Sequence, residues 1–258
     1  MPQLNLTRPG TNAKLDRSPG SYRESNMLID LHTHSYPSSD DSLLSIEELI
    51  AEGKRTGLDG LCLTEHDRFW DAQHLQTLSR EFDFPLFPGC EVTTDEGHLL
   101  VFGLDRYVFG MHRAEFVRNL VHEAGGAIIA AHPYRRQFKQ EEAQSKAAYK
   151  HMLTQAYQDQ RLSSAHGVEA LNGRGSEEEN AFAQEICARY NLTGAGGSDA
   201  HRPGDVGSYA TQFLKPVHTL EALVKALRGG LVQPASPRKA EQHPPPNGRT
   251  GVRPVYPA

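Results

Sequence analysis

The sequence predicts an α/β protein whose strands form a closed or distorted barrel. Short apolar runs alternate with longer amphipathic segments, as expected for strand-helix units that build a mostly parallel sheet. Seven or eight such units occupy roughly 205 residues, which suits a barrel better than an open doubly wound sheet. A chain of 258 residues is also long enough to bury one sizeable core, so we expect a single domain.

Eight strands are predicted where short apolar runs are bounded by glycine, aspartate or other polar residues. The runs are MLIDL (27–31), DGLCLT (59–64), LFPGCEVT (86–93), HLLVFGL (98–104), AIIAA (127–131), GVEAL (167–171), LTGAGG (192–197) and YATQFL (209–214).

Helical patterns fill most gaps between these runs. The first helix is expected to begin at Ser45, where the sequence S-I-E-E is a capping box, and to end at Gly57. Further helices are predicted over 112–124, 139–160, 176–190 and 219–228. The polar stretch 137–164 is longer than a simple connection, so it is either a cap that selects substrate or a long solvated helix pair. We favour the helix pair.

Both ends of the chain differ in composition from the middle. Residues 1–26 are rich in Pro, Gly, Ser, Asn and charge, and residues 233–258 are rich in proline. Such segments bury too little apolar surface to offset the entropy lost on ordering. We therefore expect two disordered tails around one domain that spans 27–232.

Charge and cysteine content narrow the class of protein. A net charge of −5 gives no global basic field, which favours a small phosphorylated ligand over long duplex DNA or a membrane surface. Cys62, Cys90 and Cys187 are odd in number and widely spaced, as expected for reduced, packed thiols. With no apolar run approaching 18 residues and no signal-peptide pattern, we predict a cytoplasmic protein, and no obligate protein partner is inferred.

His32 and His34 stand at the end of the first predicted strand. Because residues two apart on a strand share a face, both imidazoles can approach one metal ion. An isolated pair of this kind is more often an ordinary surface feature than a metal site. Further ligands are therefore needed.

Six more metal-capable side chains lie at the edges of other predicted strands, where a barrel of this type builds its active site. They are His66, Glu91, His98, His132, Asp199 and His201. The remaining seven of the 13 histidines fall in helix, loop or tail contexts and are interpreted as surface residues. A cluster of histidine and carboxylate without cysteine ligands is typical of a multinuclear hydrolytic site that uses Mn, Zn or Fe.

The order of the motifs resembles the PHP family, named for polymerase and histidinol phosphatase. The motifs are H-x-H, T-x-H-D, a glutamate after P-G-C, A-H-P and S-D-A-H, and they extend over about 28–214. The stretches GHLLVFG, VEALNGR and GGSDAHRPGDVGSYAT are similar to small stand-alone members with phosphoesterase activity on nucleotides or oligonucleotides. The resemblance implies a distorted (β/α)7 TIM-like barrel with two or three divalent metal ions.

The same resemblance implies three ligand groups. They are His32, His34, Glu91 and Asp199 for a first metal, Glu91, His98 and His132 for a second, and Asp40, His66 and His201 for a third. Asp41, beside Asp40, is an open alternative. His98 lies about two residues earlier than in close relatives, but on the same face of its strand. Asp199, His201 and His66 are assigned to catalysis.

Other polar residues of the motifs have expected supporting roles. Asp30 or Asp67 could accept an imidazole N–H and fix the metal-binding tautomer, although each is equally well explained as a strand-end cap. Gly196 and Gly197 would let the backbone approach the site, or form a simple tight turn. Cys90 should point away from Glu91 by strand alternation.

Substrate phosphate needs cationic partners, and guanidinium groups are well suited to bind it. The candidates are Arg68, Arg135, Arg136, Lys139, Arg174 and Arg202. We expect two of the six to matter and favour Arg174 and Arg135, with Arg68 as a third.

The predicted function is hydrolysis of a phosphate ester of a nucleotide, a short oligonucleotide or a small metabolite by a hydroxide that bridges metals. Two alternatives remain open. One is an amidohydrolase-like enzyme that cleaves a non-phosphate bond with similar ligands. The other is a non-catalytic regulatory module, against which stands the presence of a suitable residue at all nine ligand positions.

Overall fold

The computed structural model describes residues 26–237, without the side chains of residues 140 and 142. The tails expected at 1–26 and 233–258 lie almost entirely outside this range. Within 26–237, none of the helices has the length and apolar character needed to cross a membrane.

Ten strands form two five-stranded sheets. The strands are β1 (Met27–Thr33), β2 (Gly60–Leu63), β3 (Leu86–Pro88), β4 (Cys90–Thr94), β5 (Gly97–Phe102), β6 (Ala127–Ala130), β7 (Gly167–Asn172), β8 (Gly194–Gly197), β9 (Ala210–Phe213) and β10 (Val232–Ala235). The first sheet has the order β10-β9-β1-β2-β3 and the second the order β4-β5-β6-β7-β8. All eight predicted strands are present, whereas β10 was not predicted and begins at the expected end of the domain.

A closed barrel is not detected among residues 26–237. The two sheets are linked instead by isolated bridges, from Thr33 to Ala200 and from His66 to Glu91. The predicted strand 86–93 is divided at Gly89, where a Cβ atom would lie 2.8 Å from the Phe102 ring. Only glycine fits at this position, because the Phe102 ring occupies the place of a side chain.

Half of the strand pairs are antiparallel, so the prediction of a mostly parallel sheet is not confirmed. Strands β1, β2 and β3 pair in parallel, as do β6, β7 and β8. By contrast, β5 pairs antiparallel with both of its neighbours, and β9 does the same.

In the part of the chain that the structure describes, eight helices surround the sheets. They are α1 (Ile46–Arg55), α2 (Ala72–Glu81), α3 (Ala114–Ala124), α4 (Gln140–Ala143), α5 (Lys146–Tyr157), α6 (Gln160–Ser163), α7 (Glu177–Tyr190) and α8 (Leu220–Arg228). The predicted capping box is confirmed, because Glu48 N–H donates to Ser45 Oγ at 3.2 Å and Ser45 N–H donates to Glu48 Oε2 at 2.9 Å. Helix α2 was not among the predicted helices.

The predicted helix 139–160 is divided into two shorter helices, α4 and α5, and a third, α6, begins where the predicted helix ends. Helix α5 packs on α7, where Tyr149 Oη donates to Glu185 Oε2 at 2.6 Å and Tyr190 Oη donates to Leu153 O at 2.9 Å. At the far end, Arg161 donates to the carbonyl oxygen of Glu96 at 3.1 Å, in the turn between β4 and β5. The segment is thus fixed to the body of the protein at several points.

The largest apolar cluster fills the space between the two sheets. It includes Ile29 and Leu31 of β1 and Leu100 and Phe102 of β5, all at most 1% exposed. Directly after these buried residues of β1, its register with β2 shifts between Asp30 and Thr33. Irregularities of this kind redirect side chains next to functional sites, and here the shift includes the position of His32.

Candidate metal centre

Glu91 lies at the centre of a cluster of histidines at one edge of the sheets. Its carboxylate is 1% exposed, and five imidazole nitrogens lie within 3.2 Å of its two oxygens. The five rings belong to His32, His34, His66, His98 and His132. The structure therefore gathers at one carboxylate residues that are up to about a hundred positions apart in the chain.

Strand ends deliver most of these side chains. His32 and His34 come at the end of β1, and His132 follows β6 with a left-handed φ of 26°. His98 stands two residues from Leu100, the cross-strand partner of Glu91, so both side chains share one face of the β4-β5 pair. Nδ1 of His98 accordingly lies 2.6 Å from Glu91 Oε1, as the strand parity predicted.

Asp199 is the second buried carboxylate of the cluster. Its Oδ1 is 3.5 Å from His34 Nε2 and 3.7 Å from His32 Nε2, and its backbone N–H donates to His32 O at 2.8 Å. Burial alone would raise the pKa of Asp199, but the charge of His32 and the close imidazole of His34 outweigh it and hold the pKa well below its ordinary value. Asp199 is therefore ionised at neutral pH.

The pKa of Glu91 is held low by the same balance. Its burial raises the pKa, while the charge of His32, the hydrogen bond from His132 and the close imidazoles of His32 and His34 lower it further than burial raises it. The cluster thus contains two ionised, buried carboxylates among imidazoles, a donor set that suits divalent first-row metals.

His66 and His201 meet Asp41 and not Asp40. Asp41 Oδ2 lies 2.9 Å from His201 Nε2 and 3.5 Å from His66 Nε2. No hydrogen bond or ion pair within 26–237 joins Asp40 to these histidines, and like Asp41 it is exposed and absent from the metal-capable groups of this range. The structure therefore brings the open alternative, Asp41, beside His66 and His201. The choice between the two aspartates as a ligand stays a prediction.

Unsatisfied buried atoms provide a direct test of whether the cluster fits a cation. His32 Nε2, His34 Nε2 and Glu91 Oε2 are buried and have no hydrogen-bond partner, although the two nitrogens lie 3.1 and 3.2 Å from the oxygen. Buried polar atoms are normally hydrogen-bonded, so three that converge without hydrogen-bond geometry fit a shared positive ion. The residues present therefore fit a metal.

This region contains four groups of residues that could each hold a metal ion. Within each group, the possible ligand atoms lie within 4.8 Å of one another. They are His32, His34, Glu91 and Asp199; Glu91, His98 and His132; His34, His66 and His201; and His32, His132 and Glu169. The first two reproduce the predicted first and second groups, and the third contains His66 and His201 as predicted.

Glu169 was missed by the sequence analysis. It lies in β7, is 2% exposed, and places Oε1 at 3.0 Å from His32 Nδ1. A carboxylate in the middle of the apolar run GVEAL was the available signal, since a buried charge needs partners.

Of the two roles left open for Asp30 and Asp67, the hydrogen bonds within 26–237 favour the strand-end cap. Asp30 accepts backbone N–H groups from His32 at 3.1 Å and Ser198 at 2.9 Å, and burial raises its pKa to about 6 despite these bonds. Asp67 accepts the backbone N–H of Thr93 at 2.9 Å. Both carboxylates hold the backbone of strand ends, which was the alternative role.

Glu65 is a second buried carboxylate that the sequence analysis missed. It accepts hydrogen bonds from Ser35, from Ser39 Oγ at 2.6 Å and from Trp70 Nε1 at 2.8 Å. Ser39 Oγ also lies 3.3 Å from His34 Nδ1. Glu65 therefore holds the loop that carries Asp41. Through Ser39, this loop also contacts Nδ1 of His34.

Two of the predicted phosphate-binding arginines lie at the cluster. Arg135 contacts Asp199 Oδ2, and Arg174 Nη1 lies 3.1 Å from His201 Nδ1 and 4.0 Å from Asp199 Oδ1. Arg68 is exposed, and no hydrogen bond or ion pair within 26–237 joins it to the cluster. The other cationic candidates, Arg136, Lys139 and Arg202, are also exposed.

All three cysteines are buried and form no disulfide, as predicted. Cys90 belongs to an apolar cluster with Val101 and Met111, on the side of β4 opposite to the Glu91 carboxylate. Burial raises the pKa of its thiol. A nucleophilic role for Cys90 has no support in this geometry.

A comparison with protein families decides the identity of the domain. The model of the PHP domain matches residues 30–191, and the model described as PHP-associated matches residues 177–232. The chain belongs to the PHP family. This family comprises metal-dependent hydrolases, in agreement with the His, Glu and Asp groups described above.

Individual relatives of this PHP protein are distant. An uncharacterized protein of Methanocaldococcus jannaschii, MJ1587, is 26% identical over 118 residues, which cover 42% of this chain and 68% of the relative.

One solved structure has a similar fold, and two others align less well. PsfC from Pseudomonas syringae aligns with a TM-score of 0.55 and 18% identity, over 84% of this chain and 96% of PsfC, a likeness that bears on the fold alone. An amidohydrolase from Chromobacterium violaceum aligns with a TM-score of 0.49 and 18% identity over 83% of this chain and 99% of its own. A protein from Bifidobacterium adolescentis, itself only provisionally assigned as a metal-dependent phosphoesterase, aligns with a TM-score of 0.46 and 18% identity. The alignment covers 68% of this chain and 88% of that protein.

Proposed function

We propose that this PHP protein hydrolyses a phosphate ester of a small molecule, such as a nucleotide, a short oligonucleotide or a metabolite phosphate. The observation that carries the proposal is that Glu91 belongs to two of the metal-capable groups at once. Beside them, Arg135 contacts Asp199 and Arg174 contacts His201. Carboxylates and imidazoles suit divalent cations, and guanidinium groups suit phosphate oxygens.

Two or three divalent cations, Mn, Zn or Fe, would be held by three groups of residues. They are His32, His34, Glu91 and Asp199; Glu91, His98 and His132; and Asp41, His66 and His201. When bound, cations in such a site activate water and neutralise charge on phosphate oxygens. Asp199, His201 and His66 remain our proposed catalytic residues because they adjoin Arg174 and Asp41 at the partly exposed side of the cluster.

The two arginines have different positions and therefore different proposed roles. The Arg135 side chain is 19% exposed and contacts Asp199, so it would bind phosphate close to the cations. The Arg174 side chain is 43% exposed beside His201, so it would bind phosphate from the entrance. Both charges are retained at any physiological pH.

The net charge of the chain bears on the size of the proposed substrate. The chain carries a net charge of −5, which gives no broad field for the backbone of long nucleic acid. The cationic side chains at the cluster are few and local, and they match one or two phosphate groups. A small substrate is therefore preferred over duplex DNA.

Metal content is the first test. We expect two or three equivalents of Mn, Fe or Zn per chain, measured by plasma mass spectrometry on protein purified without chelator or a histidine tag. The variant His132→Ala should lose at least one equivalent, while His122→Ala, an exposed histidine on α3, should keep all of them. Equal, near-zero metal in all three proteins, not restored by reconstitution, would overturn the proposal.

Hydrolysis is then assayed in the metal that the protein retains. A panel of phosphomonoesters, phosphodiesters and nucleotides is compared with a panel of amides and lactones at equal concentration. Turnover of phosphate esters that is lost in His132→Ala supports the proposal. Turnover confined to amides or lactones by the metal-loaded protein would contradict it and favour an amidohydrolase-like enzyme.

A further inference from the structure

Glu169 connects three segments that carry proposed metal ligands. Oε1 lies 3.0 Å from His32 Nδ1, and Oε2 accepts the backbone N–H of His132 at 2.8 Å and the side-chain N–H of Asn172 at 3.1 Å. Asn172 Nδ2 also lies 3.3 Å from Asp199 Oδ2. One carboxylate is thus in contact with β1, with the end of β6, and through Asn172 with the segment after β8.

We propose that Glu169 is a positioning residue that keeps the proton of His32 on Nδ1 and so leaves the Nε2 lone pair free for a cation. The inference rests on the metal requirement of the proposed function. It does not make Glu169 a metal ligand, because its two oxygens already accept hydrogen bonds from three donors.

The chemistry of the contact fixes the tautomer. Oε2 of Glu169 already accepts two N–H groups, so Oε1 is the acceptor that faces His32, and the imidazole nitrogen opposite it carries the proton. In a neutral ring, Nε2 is then the nitrogen with the lone pair. His32 Nε2 is also the atom that is buried without a hydrogen-bond partner, 3.1 Å from Glu91 Oε2.

Gly197 gives this contact its space. A Cβ atom on Gly197 would lie 2.5 Å from His32 Cβ and 2.7 Å from Glu169 Oε1. Only a residue without a side chain allows β8 to pass so close to the pair. The contact is therefore built into the packing of β1, β7 and β8.

The backbone contact has a second consequence. His132 has a left-handed φ of 26°, which is uncommon for a residue with a side chain. Its N–H is held by Glu169 Oε2 at 2.8 Å, which helps to fix this conformation and the direction of the ring toward Glu91. Glu169 would thus orient one ligand through its ring and another through its backbone.

Glu169→Gln is a sharp test because neither orientation of the amide can replace the carboxylate. If the amide oxygen faces His32, the NH2 group faces two donors, His132 N–H and the Asn172 amide. If the amide oxygen faces those donors, the NH2 group donates to His32 Nδ1 and forces the proton of the ring onto Nε2. The first arrangement leaves donors unpaired, and the second removes the ligand lone pair.

The first measurement is metal affinity. We expect Glu169→Gln to bind Mn²⁺ or Zn²⁺ about 10 to 100-fold more weakly than the wild type, with an unchanged circular dichroism spectrum after chelation. Glu185→Gln serves as the control because Glu185 bonds only to Tyr149 and Arg189, away from the cluster, and its affinity should match that of the wild type. Wild-type affinity in Glu169→Gln would overturn the inference.

The second measurement does not depend on folding of the variant or on catalysis. Ring ¹⁵N spectra of the metal-free wild-type protein, at a pH where His32 is neutral, should show His32 protonated on Nδ1, with the signal identified by its absence in His32→Gln. An Nε2–H ring would overturn the inference even if phosphate esters are hydrolysed. An Nδ1–H ring would support it even if the wild type hydrolyses none, so the two proposals can fail separately.

Discussion

Asp40 and Asp41 are neighbours in the chain, yet only Asp41 reaches the histidines. Asp41 Oδ2 lies 2.9 Å from His201 Nε2, whereas no hydrogen bond or ion pair within 26–237 joins Asp40, on the same turn, to the histidines. We predict that Asp41→Asn lowers activity by at least about tenfold and removes one metal equivalent, because the neutral amide is a poor ligand for a hard cation.

Asp40→Asn is the matched control for this prediction. It removes the same charge one residue away, so we expect less than a twofold change in activity and no loss of metal. Activity assays and metal analysis on the two purified variants decide the point. A larger effect in Asp40→Asn than in Asp41→Asn would restore the assignment made from sequence.

Arg174 offers a test of phosphate binding at the entrance. We predict that Arg174→Ala raises KM for a phosphate ester by roughly tenfold, since a hydrogen bond to a charged group contributes about 1.5 kcal/mol or more. Metal content should be unchanged because Arg174 supplies no ligand. Arg202→Ala, an exposed arginine one residue beyond His201, should leave KM within twofold. Equal increases of KM in both variants would indicate that the overall positive charge near the site binds the phosphate, and not a specific contact from Arg174.

The residues that could be predicted from sequence are those whose motifs are local. Strand-end histidines, Glu91 and Asp199 were identified because each stands beside an apolar run that fixes its place at a sheet edge. The choice between Asp40 and Asp41 depended on the path of a turn, which composition does not encode. Glu169 was missed because its partner, His32, is 137 residues away in the chain.

At the scale of elements, the approach of β8 to β1 places Asp199 beside the histidines. Gly197, the last residue of β8, would bring a Cβ atom to 2.5 Å from His32 Cβ if it carried a side chain. We predict that Gly197→Ala separates the two strands, lowers metal affinity by at least about tenfold and destabilises the fold by roughly 1–3 kcal/mol, as overpacking usually does.

Gly204→Ala controls for the general effect of replacing glycine. A Cβ atom on Gly204 would meet nothing within 4 Å, and its φ is not in the left-handed range. Stability and metal affinity should therefore stay close to wild type, measured by urea unfolding and by metal titration. If Gly197→Ala behaves like Gly204→Ala, the β1-β8 contact has no role in shaping the site.

Helices and strands could be predicted where the pattern that marks them lies within a few consecutive residues. The capping box at Ser45 and the apolar runs gave α1 and eight strands. An apolar run does not encode its pairing direction, so the antiparallel positions of β5 and β9 could not be seen. Strand β10 has the sequence VQPA, in which Pro234 argues against a strand, and its position at the edge of the sheet explains why proline is tolerated.

At the scale of the whole molecule, cations should stabilise the fold, because they bind ligands that only the folded chain brings together. A cation at 100 times its Kd adds about 2.7 kcal/mol to the free energy of unfolding. For a domain of this size we predict a rise in Tm of roughly 5–10 °C on adding Mn²⁺ to chelated protein. Scanning calorimetry measures the shift, and Glu91→Gln, which lacks the shared carboxylate, should show less than about 2 °C.

The dependence of stability on pH should have opposite signs with and without metal. In the metal-free protein, the pKa of His66 is raised by its hydrogen bond to Glu91, and the pKa of His32 is raised because three carboxylates outweigh its burial. A histidine with a raised pKa stabilises the fold fully below its unfolded pKa of 6.5, and this contribution is lost as pH rises through the folded pKa. Metal-free protein should therefore become less stable between pH 6.5 and 8.5.

Other shifted groups act outside that window. Burial lowers the pKa of His201, so its effect on stability appears below pH 6.5. Burial raises the pKa of Asp30 to about 6, so its destabilising contribution is complete above that pH and changes with pH only in more acidic solution. In the metal-loaded protein, protons compete with cations for the imidazole nitrogens, so stability should rise over the same interval. Urea midpoints at pH 6.5 and 8.5, with chelator and with Mn²⁺, test both slopes. Slopes of the same sign in both forms would mean that the histidine cluster does not exchange protons for cations.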